Sequence, residues 1–220
     1  MELASVLLAR AMALVEPTEL NPKSAISYRD IVTAIVARYN FQKYPQKIEE
    51  LDEAKGVVFS SGQIDGKEIS QFIIYTYGLL LDTRSSTRES KHLLEEALNW
   101  ASKDLGITYK PSMIKRWLYA SQITFYSKLR LTGASVAFQR LADSIEKNIK
   151  EITGESLAYE LTTIGVDYDQ LTRKHAVGRF SIQRRENIPF SDNKYYSDAP
   201  LPTDVHIKLL EQFEADISSN

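Results

Sequence analysis

Three observations predict an α+β fold: amphipathic helical stretches alternate irregularly with β-rich runs, an Asp-Gly pair between two of those runs marks a hairpin, and no strict βαβ rhythm appears. The elements read in the order α, α, β, β, α, β, α, β, β, α, which predicts a mixed or antiparallel sheet of about five strands with amphipathic helices packed against it. A chain of 220 residues predicts one domain over 1–220, since single cores split only beyond roughly 250 residues.

Composition bounds the function. With 43% hydrophobic residues, 12 Tyr and 8 Phe, the chain has enough apolar material to fold. Its formal net charge of −2 gives no global attraction to nucleic acid or anionic lipid, so such binding needs a local patch. The absence of cysteine excludes disulfides, thiolate catalysis and Cys-based metal centres, and fits a cytoplasmic location.

The first element is "MELASVLLARAMALVEP". It imitates a signal peptide but lacks a basic start, carries Glu2, and is interrupted by Arg10. Its small and polar positions Glu2, Ser5, Ala9, Ala13 and Glu16 form a narrow helical stripe, with apolar residues over the rest. This predicts an apolar N-terminal helix, too short to cross a bilayer and wanting burial on most sides. Ser27 and Asp30 then form a capping box that opens a helix with Ile31, Val32, Ile35, Val36 and Tyr39 on one face.

Asp65-Gly66 supplies the positive φ angles of a two-residue turn, predicting strands at about 56–64 and 67–82. The following helix, about 87–105, has a stripe of Leu94, Leu98, Ala101 and Leu105 and ends at Gly106. "SMIKRWLYASQITFYSK" reads as a strand, and a helix from about Ser135 carries Phe138, Leu141, Ala142, Ile145, Ile149 and Ile152 up to Gly154. Two β-like runs, "SLAYELTTIGVDY" and "VGRFSIQRR", precede an extended Pro/Tyr arm at about 186–202. An amphipathic C-terminal helix with Val205, Leu209, Leu210, Phe213 and Ile217 closes the chain.

The stretch "LLLDTRSSTRES" delivers Asp82 and a hydroxyl cluster from a strand to a helix start. Unpaired first-turn N–H groups attract anions, so Asp82, Arg84, Ser85, Ser86 and Arg88 form a candidate phosphate-ligand site. Against it, Ser86 and Glu89 make a capping box that satisfies the same donors internally, and no Gly-rich phosphate loop exists in the chain. The cap is the favoured reading.

Two basic clusters, at 110–130 and 173–185, contain Lys115, Arg116, Arg173, Lys174, Arg184 and Arg185 without an acid. Cations beside aromatic rings suit nucleic acid. However, Trp117, Tyr119, Ile123 and Phe125 alternate as a core face does, so nucleic-acid binding is possible but not favoured. His92, His175 and His206 lie far apart with no partner at i+3 or i+4, which predicts no metal site. His206, near the start of the last helix, reads as structural. No nucleophile motif or chosen carboxylate pair points to catalysis, and no cofactor is implied.

The arm bears Phe190, Tyr195 and Tyr196, too apolar to leave in water. It either wraps its own domain or straps onto a neighbouring subunit. Together with Leu7, Leu8 and Met12 of the apolar N-terminus it supplies candidate interface residues. The expectation is therefore a non-catalytic interaction or assembly subunit, self-associating as a homo-oligomer or joining a larger assembly, without membrane insertion. The alternative is a phosphate-ligand or nucleic-acid-binding module using the turn at 82–88 and the basic clusters.

Overall fold

The N-terminal stretch is a strand, and the sheet it joins is larger than the sequence suggests. The computed structural model describes residues 1–22, 25–133, 135–169 and 177–219. In chain order these form β1 (Glu2–Leu14), α1 (Pro17–Leu20), α2 (Tyr28–Tyr39), β2 (Val57–Ile64), β3 (Lys67–Tyr75) and β4 (Gly78–Thr83). There follow α3 (Thr87–Trp100), β5 (Arg116–Tyr126), α4 (Val136–Thr153), β6 (Thr163–Val166), β7 (Phe180–Arg184), β8 (Lys194–Ala199) and α5 (Thr203–Ser218). The sheet is antiparallel with eight strands in the order β2-β3-β4-β1-β5-β8-β7-β6, which corrects the expected five.

The three unexpected strands have separate causes. In β1, Ala9, Ala11 and Ala13 are buried while Leu8, Arg10, Met12 and Leu14 are half-buried, a period of two hidden because Ala and Leu both count as apolar. Ala, Leu and Met favour helix intrinsically, but β1 lies between β4 and β5 and its ladders override that preference. The predicted strand at 67–82 instead breaks at Thr76 and Tyr77 into the β3–β4 hairpin. Gly78 opens β4 where a Cβ would sit 2.5 Å from the Ala13 carbonyl oxygen, so only glycine allows this approach to β1. The third addition, β8, comes from the Pro/Tyr arm and pairs with β7.

The chain divides into two compact units, Val6–Ser121 with Leu201–Asp204, and Met1–Ser5 with Gln122–Pro200 and Val205–Asn220. In the first, larger unit, Val32, Ile35 and Tyr39 of α2 and Leu93, Leu94, Ala97 and Leu98 of α3 share a core with strand residues Phe59, Phe72, Ile74, Leu79 and Leu81. The Ser27 hydroxyl caps α2, accepting from the Asp30 N–H at 3.1 Å and donating to its carboxylate at 2.7 Å. Asp65 and Gly66 take φ of +48° and +75°, the turn their sequence demands.

In the smaller unit, Arg184 of β7 stands opposite Tyr195 of β8. The Tyr195 ring is fully buried and stacks on Phe125 at 5.6 Å, and its hydroxyl accepts from the Leu131 N–H at 3.0 Å. His206 and Leu210 of α5 are also fully buried. Gly154 ends α4 at φ +77°. Among the described residues, no helix is long and apolar enough to cross a membrane.

Candidate functional site

The turn at 82–88 is a closed cap. Asp82 is buried at the end of β4, opposite Arg10 of β1, and both its carboxylate oxygens accept from that guanidinium, at 2.8 Å from Nε and 2.7 Å from Nη2. The Ser86 hydroxyl accepts from the Glu89 N–H at 3.2 Å, and the Ser85 hydroxyl donates to the Glu89 carboxylate at 2.8 Å. Lys67 pairs with the same carboxylate at 2.9 Å, and with Ser85 it holds the Glu89 pKa below the usual carboxylate range. The Thr87 N–H donates to the Thr203 hydroxyl at 3.1 Å, so two of the first-turn donors that would grip an anion, those of Thr87 and Glu89, already have partners. Arg84 and Arg88 are exposed, and Arg84 borders a polar depression with Gln63, Glu68 and Ser70 instead of closing over the helix start.

Ser86→Ala is expected to cost about 1 kcal/mol through the lost cap. Arg84→Ala is expected to stay within about 0.5 kcal/mol of the parent. Urea unfolding of both variants checks this; equal destabilisation by the two would make Arg84 part of the cap.

The described basic residues have different settings. Lys115 pairs with Glu16 at 2.8 Å, a contact that raises the Lys115 pKa. Arg116 and Arg185 are exposed. Arg184 is buried, donating to Glu160 at 2.7 Å and to the Phe190 carbonyl at 2.7 Å. Arg173 and Lys174 lie outside the described residues. Among the described residues no cluster of three or more His, Asp or Glu stands ready to hold a metal ion.

The expected interface residues separate in the same way. Leu7 and Phe190 are exposed, while Leu8, Met12 and Tyr196 are half-buried along β1 and β8. Tyr195 is enclosed within its own unit, where β8 pairs with β7.

An apolar surface left in water lies on α4. At 100° per residue, Ala142 and Ile149 occupy one edge of its apolar stripe, and Phe138, Ile145, Ile152 and Leu141 spread towards the other. Ala142 is buried and Ile149 half-buried, whereas Ile145 is 38%, Phe138 51%, Leu141 56% and Ile152 79% exposed. The helix therefore leans on its unit by one edge and leaves the rest of the stripe in water. Single exposed apolar residues are ordinary, but four along one helical face form the kind of patch that marks an interaction site. The period alone could not reveal this, because a stripe facing a core and one facing a partner have the same spacing. No protein-family model matches the sequence, and no curated protein matches it either.

Proposed function

We propose that the protein is a non-catalytic assembly subunit that pairs with a second copy of itself through α4. The carrying observation is the exposed apolar edge of that helix, Phe138, Leu141, Ile145 and Ile152. Its pattern supports a like partner. Laid antiparallel about Ile145, the stripe places Phe138 opposite Ile152, Leu141 opposite Ile149, and Ile145 opposite itself. Asp143 then falls opposite Lys147 on the flank. A surface complementary to its own two-fold copy is what an isologous dimer needs, and two-fold dimers are the commonest closed assemblies. Burying such a seam brings the hydrophobic gain of a few large side chains, each about 1.5–3 kcal/mol when fully covered.

Sedimentation velocity tests the reading. The expected result is a dimer at about 100 μM that becomes a monomer in the Leu141→Glu, Ile145→Glu double variant. Both positions face water in the protomer, so at concentrations low enough for the parent to be monomeric the variant's unfolding midpoint should match the parent's. A parent protein that stays monomeric at that concentration overturns the proposal.

A further inference from the structure

The larger unit contains a second feature, independent of α4. Between α2, α3 and the sheet lies a cavity of about 170 Å³, walled by Ile31, Ile35, Phe72, Leu94, Leu98 and Trp100. An apolar cavity of about 150 Å³ is enough to hold benzene. The space therefore matches one ring and a short head.

Its polar groups are few. Tyr39 lines the wall, but its hydroxyl already donates to Glu96 at 3.0 Å. Asn21 also lines it, with its amide closed on the Ile26 backbone. The Tyr28 hydroxyl is different: it is buried without a hydrogen bond of ordinary geometry. Glu53, another wall residue, faces it: no bond of ordinary geometry joins the two, but the Glu53 carboxylate acts on the phenol both by its charge and as a long hydrogen-bond acceptor. Burial first, then the Glu53 charge and hydrogen bonding to its carboxylate, raise the Tyr28 pKa, so the phenol keeps its proton. Two other buried nitrogens lack partners among the described residues, Nε of Arg38 and of Arg184, but their guanidiniums are already engaged by Glu96 and Glu160. A buried hydroxyl costs stability unless something bonds it.

We propose that this cavity binds a small single-ring aromatic molecule carrying one hydrogen-bond-donating head, a hydroxyl or an amine, and no acid group. The ring sits against Phe72, Leu94 and Trp100. The head donates to the Glu53 carboxylate and accepts from, or packs beside, the Tyr28 hydroxyl. The described wall holds one acid and no Lys, Arg or His, so an anionic head would meet Glu53 with no counter-charge. The same carboxylate favours a hydroxyl or ammonium donor, and the surrounding rings add attraction for an ammonium.

Calorimetry of the full chain with p-cresol, phenethylamine, toluene and 4-methylbenzoate tests the assignment. Saturable binding of p-cresol or phenethylamine is expected with a dissociation constant below about 1 mM, the donor that binds more tightly identifying the head. Binding of 4-methylbenzoate should be at least about tenfold weaker. Tyr28→Phe should weaken p-cresol by about three- to tenfold while leaving toluene unchanged. Ala97→Leu, which fills the space, should abolish binding of all four; if that variant does not fold, the contrast between p-cresol and toluene in Tyr28→Phe decides. No saturable binding of any ring by the parent protein, or 4-methylbenzoate binding as tightly as p-cresol, overturns the proposal. Neither result bears on dimerisation, which uses the other unit.

Discussion

Arg184→Ala is expected to destabilise the protein by about 3 kcal/mol, the lower part of the range for breaking a buried ion pair. The side chain is almost wholly buried, with Nη2 donating to Glu160 at 2.7 Å and Nη1 to the Phe190 carbonyl at 2.7 Å. Its guanidinium also lies over the Phe190 and Tyr195 rings, at 4.8 and 5.1 Å. Removing it strands a carbonyl, empties the space between two rings and takes one of two cations from Glu160. The second, Arg130, remains paired with Glu160 and keeps the loss below the upper end of that range. Arg184→Lys should recover only part of the stability, because an ammonium cannot reproduce the planar stacking or the paired donors. Arg185→Ala, one residue along and exposed, should change stability by less than about 0.5 kcal/mol. Urea unfolding of the three variants is the measurement; an Arg184→Ala protein as stable as the Arg185→Ala protein would remove the structural role assigned to Arg184.

Acidification from pH 7 to pH 4 should cost about 3 kcal/mol through His206 alone. The ring is fully buried, with Nε2 2.8 Å from the Ser197 hydroxyl and its plane edge-on to Phe180 at 5.7 Å. Burial lowers its pKa from 6.5 to about 4. Above pH 6.5 the ring is neutral in both folded and unfolded chains, and it contributes no pH dependence. Between 6.5 and about 4 the unfolded chain binds a proton that the folded chain refuses, so stability falls as pH falls through this window. Below about 4 both forms are protonated and the loss is complete. Carboxylates titrate over part of the same range, so the test is a difference. Unfolding free energies of the parent and of His206→Gln, measured at half-unit steps from pH 7 to pH 4, should diverge in slope between 6.5 and 4. Parallel curves would show that His206 titrates alike in both states.

Helix ends and tight turns were readable from the sequence because their causes are local. Ser27 and Ser86 cap their helices through the N–H groups of Asp30 and Glu89. The two carboxylates take the Ser27 hydroxyl and Ser85 with Lys67, respectively, in place of the reciprocal bonds of a capping box. Asp65-Gly66 and the left-handed Gly106 and Gly154 turn the chain as the sequence indicates. The larger elements needed more. The 2–14 stretch has strong helical propensity, and only pairing with β4 and its place beside β5 make it a strand. The interruption at Arg10, puzzling within an apolar run, is explained by Asp82 across the ladder, 72 residues away.

The candidate sites followed the same division. The capping role of Ser86 was visible in four consecutive positions, whereas the use of Asp82 and Arg184 depends on partners distant in sequence. A row of arginines reads alike whether it meets phosphate or a buried glutamate. The sequence by itself therefore determined the N-caps of α2 and α3, the Asp65-Gly66 turn, the stop of α4 at Gly154 and the absence of cysteine. Only the tertiary structure decided that the N-terminus is a strand, that Tyr195 is interior, that the stripe of α4 is left in water and that Tyr28 opens into a cavity. Caps and turns are settled by forces acting over one or two peptide units. Burial is settled by what the rest of the chain brings alongside, and spacing within a segment carries no record of that.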